Sequence, residues 1–100
     1  MSAYVVTPRA EADLSRIYAY SVETWGEARA RVYIDALFSR FAWLTTYPTL
    51  GKPREDIAPG YRSFPQGSHL VFYMVNGHDI FIIGVPHMSM DVGAYFDGPS

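Results

Sequence analysis

The stretch His69-Leu-Val-Phe-Tyr-Met-Val75-Asn76-Gly77-His78-Asp79-Ile-Phe-Ile-Ile-Gly-Val85 decides the fold. Two runs of β-branched and aromatic residues flank an Asn-Gly pair, the strongest short-range signal for a β-hairpin. The first run, His69–Val75, is apolar almost throughout, which predicts a central strand. Pro86 stops the second, Asp79–Val85. Upstream, Tyr61–Phe64 reads as a further short strand, joined to the hairpin through a turn at Pro65-Gln66-Gly67-Ser68. The C-terminal half is therefore a three-stranded antiparallel meander.

Further upstream the period changes from two to 3.6. From about Glu27 to Tyr47, Ala30, Ile34, Leu37, Phe41 and Leu44 recur in steps of four and three, the stripe of a helix ended by Pro48. Trp25-Gly26 separates it from an earlier helix running from Pro8 to about Thr24. That helix starts with Thr7 as N-cap and Pro8 at its first position, carries Glu11 and Asp13 where the dipole favours acids, and repeats Ala10, Leu14, Ile17, Tyr18 and Ser21 on one face. So short a connection predicts an antiparallel helical hairpin. Ala3–Val6 is a short N-terminal strand, Pro48–Gly60 a loop, and His87–Ser100 a tail with one helical turn before Asp97-Gly98-Pro99. The class is α+β in two layers: an N-terminal strand, a helical hairpin on one face of the meander, and an opposite face poorly covered.

Composition narrows the function. One hundred residues fit a single domain, 1–100, and 49% hydrophobic residues make it globular. Eight basic against ten acidic residues give a net charge of −2, which argues against a protein that holds nucleic acid mainly through phosphates. Without cysteine there is no disulfide, thiolate metal site or cysteine nucleophile. No signal peptide is visible, and Leu70–Val75 and Ile80–Val85 are too short to span a bilayer, so a cytoplasmic protein without membrane contact is expected. Phosphate-binding glycine loops, dinucleotide fingerprints, His-Glu-x-x-His pairs and Gly-x-Ser-x-Gly elbows are missing, and no cofactor is implied.

The remaining candidates each carry two readings. His87 and Asp91, four apart, would share a face if helical, as an acid/base pair or two metal ligands, or would merely fix the tail to the sheet. His69 and His78 read as structural or exposed. Lys52, Arg54 and Arg62 could form an anion-binding patch or be ordinary solvated charge, Arg62 alternating with Tyr61 and Ser63 in a strand. Sixteen aromatics exceed what one thin core readily hides. The surplus collects on the flank of the second helix, where Tyr33, Trp43 and Tyr47 stand with Arg29 and Arg40. They pack within the chain, or form a groove for a partner.

The order of motifs resembles the ParE branch of the RelE/ParE toxin superfamily of bacterial toxin–antitoxin modules. The resemblance is carried by Tyr4-Val5-Val6-Thr7 with Ala10, Asp13-Leu14 and Ile17; by Trp25-Gly26 with Ala28 and Ala30; by Tyr33, Leu37 and Phe41-Ala42-Trp43-Leu44; by Tyr47-Pro48 with Gly51-Lys52; by Gly60 with Arg62; by His69 with Val71-Phe72-Tyr73; and by Ile80, Ile82, His87 and Met90-Asp91. It implies the α+β fold above and a toxin neutralised by a cognate ParD-like antitoxin. ParE-type toxins act on DNA gyrase, whereas RelE-type relatives cut messenger RNA on the ribosome. On the gyrase reading the protein is a binding inhibitor, with Arg62, Tyr73, His87 and Asp91 as target contacts and Arg29, Tyr33, Arg40, Trp43 and Tyr47 meeting the antitoxin. The ribonuclease reading needs a base, a cation and an acid, for which Arg62, Tyr73 and His87 could be recruited, but the basic excess expected for ribosomal RNA is missing. Where ParE-like chains often carry an arginine, three residues before His87, this chain has Gly84.

Overall fold

Thr7 turns the chain from strand into helix. Its N–H donates to the Ile82 carbonyl at 3.1 Å and its hydroxyl to the same oxygen at 2.8 Å, while its Oγ1 accepts from Ala10 N–H as an N-cap. One side chain thus fixes both the end of β1 (Tyr4–Val6) and the start of α1 (Pro8–Trp25). The computed structural model describes residues 3–97. After Gly26 come α2 (Glu27–Thr46), β2 (Lys52–Pro53), β3 (Arg62–Gln66), β4 (His69–Asn76), β5 (Asp79–Gly84) and α3 (Val92–Asp97). Gly26 lies at φ +89°, a conformation that a side chain disfavours, and it lets two long helices fold back with a single residue between them.

The five strands form one sheet in the order β1-β5-β4-β3-β2. β1 runs parallel to β5, with Tyr4 opposite Ile80 and Val6 opposite Ile82, and the other pairs are antiparallel. The meander is as expected, with three refinements. The loop after α2 contains a two-residue strand, Lys52–Pro53, paired with Ser63 and Arg62. β3 continues through Pro65 and Gln66, so its hairpin turns at Gly67-Ser68. The β4–β5 hairpin closes on Asn76 opposite Asp79, one residue later than the Asn-Gly pair suggested. Proline is tolerated in β3 because its partner Leu70 spends its N–H on Pro86 O, at 2.9 Å on the far side. The missing donor of Pro65 therefore faces the open edge of the sheet.

The helical hairpin covers one face. Leu14 and Ile17 of α1 and Leu37, Phe41 and Leu44 of α2 are buried against Val71, Tyr73, Ile80 and Ile82, and Ile34 is half-buried beside them. The second face is less bare than predicted. α3 crosses it, placing the Phe96 ring 5.1 Å from Phe72 and 5.4 Å from Tyr61, and the Arg54 guanidinium lies 5.1 Å from the Phe72 ring centre. The row Val5–Phe81–Met74 on that face is less completely covered. The helical turn expected in the tail is α3, ending at Asp97, and Gly98-Pro99 lie outside the described residues. Among those residues no helix is long and apolar enough to cross a membrane.

Phe41 is fully buried, with Tyr4 and Phe38 edge-on to its ring at 5.6 Å each. Phe41→Ala should cost ~3–5 kcal/mol, read as a fall in the urea midpoint at unchanged slope.

Candidate functional site

Helical spacing puts Asp13 in the buried stripe of α1, only 5% exposed. A carboxylate there must find donors, since an unpaired buried charge is strongly unfavourable. Asp13 finds three. Its Oδ1 takes the Arg16 guanidinium, one helical turn on, and its Oδ2 accepts both the Val85 N–H at 2.9 Å and the Tyr95 hydroxyl. Burial, and then the hydrogen bond to Asp13, push the Tyr95 phenol well above its ordinary range, so it remains a donor. Arg9 clamps the same residue by donating to the Tyr95 carbonyl at 2.8 Å and lying over the Tyr95 and Phe96 rings. Gly84 makes room for this: a Cβ there would overlap the Tyr95 hydroxyl. The arginine expected at that position from the resemblance cannot be accommodated while Tyr95 occupies it.

Next to this cluster the start of β4 meets the segment after β5, His69 bridging His87 with ring centres 5.1 Å apart. The Tyr33 hydroxyl reaches His69 Nδ1 at 2.6 Å and accepts from Ser68 N–H at 2.9 Å. His87 Nδ1 pairs with Ser89 Oγ at 2.8 Å. Between this pair and α1 lies an open pocket of about 520 Å³, walled by Ile17, Tyr20, Trp25, Val85, Pro86 and Met90 and edged by Arg16, His69 and His87. Burial, and then the neighbouring His87, hold the His69 imidazole below its ordinary pKa, against an opposing pull from Asp13.

The sequence-predicted residues do not converge on one site. Tyr73 is no target contact. It is fully buried, donating to Pro48 O at 2.8 Å and accepting from Gly51 N–H at 2.9 Å, so it pins the loop after α2. Arg62 binds that loop too, through Gly51 O at 2.8 Å and Thr49 O at 3.3 Å. Arg54 is held by Asp56 and Ser63, and Lys52 stands exposed on β2, so the three cations form no shared anion site. Tyr73 and His69 are four residues apart on β4, about 13 Å, so Arg62, Tyr73 and His87 cannot act on one bond. His87 and Asp91 share no helical face: His87 sits in the bridge to His69, while Asp91 Oδ1 accepts from Ala94 N–H at the start of α3. His78 is exposed in the β4–β5 turn. Among the described residues no group of three or more His, Cys, Asp or Glu could hold a metal.

The α2 flank does form a surface. Arg40 lies 4.6 Å from the Trp43 ring centre and 4.8 Å from that of Phe64, and its Nε donates to Gln66 Oε1 at 2.8 Å. Trp43 also packs 5.2 Å from Tyr47, which is 49% exposed. Arg29 is exposed, and Tyr33 joins this flank to the pocket. Asp13, Arg16, Tyr20, Trp25 and Tyr95 were missed as site residues. The available signal was an acid inside the apolar stripe of α1 with an arginine three residues later.

Residues 4–92 match the profile of a family described as the ParE toxin of type II toxin-antitoxin system, parDE. Toxin ParE1 of Caulobacter vibrioides is 39% identical over 95 residues, which cover 95% of this chain and 98% of that protein. Toxin ParE1 of Mycobacterium tuberculosis is 35% identical over 92 residues, covering 91% and 94% respectively. A solved structure described as the chromosomal ParDE TA system from P. aeruginosa superposes with a TM-score of 0.72 at 25% identity, covering 87% of this chain and 95% of that one.

Two outcomes follow from the geometry. Gly84→Ala should lose about 1–3 kcal/mol and release α3, read as faster amide exchange at residues 92–97. His69, faced by Tyr33, His87, Asp13 and Arg16, contributes a pH dependence. Its folded pKa lies below the reference of 6.5, so the folded state binds fewer protons than the unfolded one. Its contribution is present above that reference and lost as pH falls through the folded value. The melting temperature of wild type should therefore drop more between pH 7.5 and 5 than that of His69→Gln.

Proposed function

The chain belongs to the ParE toxin family of type II toxin–antitoxin systems, and from that premise we propose that it arrests growth by binding DNA gyrase in the cytoplasm, without cutting RNA, and that a ParD-like antitoxin holds it in check. The observation that supports the non-enzymatic reading is the dispersal of the three residues the ribonuclease reading would recruit, Arg62, Tyr73 and His87. Arg62 and Arg54 are engaged by the protein's own oxygens, Tyr73 is buried, and His87 lies beside His69 at the other end of β4 from Tyr73. Phosphodiester cleavage needs base, acid and cation within hydrogen-bond reach of the same atoms. The net charge of −2 also weighs against ribosomal RNA as the surface to be held.

His87 and Asp91 stay exposed and, with the outer atoms of Arg62, are the target-facing candidates. The antitoxin surface is the α2 flank, with Tyr47 and Arg29 open to a partner and Trp43, Arg40 and Tyr33 forming its base. The toxins of the family and the ParDE assembly matched in fold support an antitoxin as that partner.

Expression of the chain without antitoxin should stop bacterial growth with replication blocked. The purified protein should inhibit supercoiling by gyrase while leaving cell-free translation running. Rapid loss of translation with supercoiling intact would reverse the assignment.

A further inference from the structure

We infer that the pocket between α1 and the His69–His87 bridge seats an anchoring side chain of the antitoxin: a large apolar residue with a carboxylate beside it. This rests on the antitoxin reading above and adds a second contact that the α2 flank does not provide.

Three features favour that occupant. First, the apolar wall is unpartnered. Tyr20 is 62%, Trp25 49% and Met90 51% exposed, and the Tyr20 and Trp25 rings stand edge to face 6.0 Å apart. By contrast, the flank residues Arg40 and Trp43 are already stacked within the chain. Second, the rim favours an acid. The Asp13 carboxylate is turned inward to its three donors, so the groups that face solvent are the Arg16 guanidinium, whose side chain is 69% exposed, and the two imidazoles. A carboxylate arriving there meets donors and no free acid. Third, the pocket is continuous with the flank. The Tyr33 hydroxyl bonds His69 on one side and lies 3.4 Å from the carbonyl of Gln66, the residue whose side chain holds Arg40, on the other. One segment can run along Tyr47 and Tyr33 and end in the pocket, as disordered partners that fold on binding do.

The probe is the product of the reading frame adjacent to this chain's own, titrated into the full-length toxin by calorimetry. Trp25→Ala should weaken binding tenfold or more, as aromatic anchors in pockets do, while Val32→Ala, 70% exposed on α2, changes it less than twofold. Met90→Glu should weaken binding more than Met90→Gln, since only the former sets an acid against the incoming carboxylate. Trp25 and Met90 are half-exposed, and unchanged melting temperatures confirm that the variants are folded. Equal effects of Glu and Gln at position 90 overturn the acidic character of the occupant. Affinity within twofold of wild type for Trp25→Ala overturns the pocket alone, because the antitoxin still binds. Absence of binding by the wild-type chain overturns the antitoxin reading and the pocket with it. Self-association of the isolated toxin that Trp25→Ala abolishes would put a second copy of the chain there instead.

Discussion

A single buried carboxylate holds three parts of this chain together. Asp13 takes one donor from its own helix, one from the backbone just past β5 and one from α3. Asp13 stands 72 residues from Val85 and 82 from Tyr95 in sequence. Moving any one of these segments would leave a charge in an apolar stripe with an unmet need, so the relative placement of α1, the sheet end and α3 is discrete rather than continuously adjustable. The pocket owes its shape to that constraint, because Val85, Tyr95 and Arg16 are both ligands of Asp13 and parts of the pocket lining.

Tyr73 performs the same task for the other end of the molecule. Its hydroxyl holds the loop after α2 by one carbonyl and one N–H, and Arg62, opposite it in the ladder, adds two more carbonyls. A thirteen-residue stretch with three prolines and little regular structure is thereby tied to the sheet, which is how a two-residue strand persists within it. Both polar anchors are structural, although the resemblance offers Tyr73 as a target contact.

What was legible followed from periodicity. The two helices, the meander and the helix-facing core residues are read from local spacing, because burial on one face imposes it. β2 was not legible: two exposed residues, one of them proline, have no pattern, and only long-range pairing defines them. Asp13 was read as a dipole-favoured acid because its position near the helix start suits that role equally well. His87 and Asp91 were set on a common face because a spacing of four means that only in a helix, and the chain there bridges and turns first. The pocket was beyond reading from spacing, since its lining comes from α1, α2, the start of β4, the tail and α3, which only the topology unites.

The position of Pro65 bears on how such a chain behaves on its own. The outer edge of β3 beyond the short β2 offers no N–H at Pro65, and the opposite edge of the sheet is a strand of three residues. Copies of the protein meeting edge to edge find too few donors to propagate a shared ladder. A proline at the rim of the sheet thus works against strand-to-strand pairing between copies of the chain.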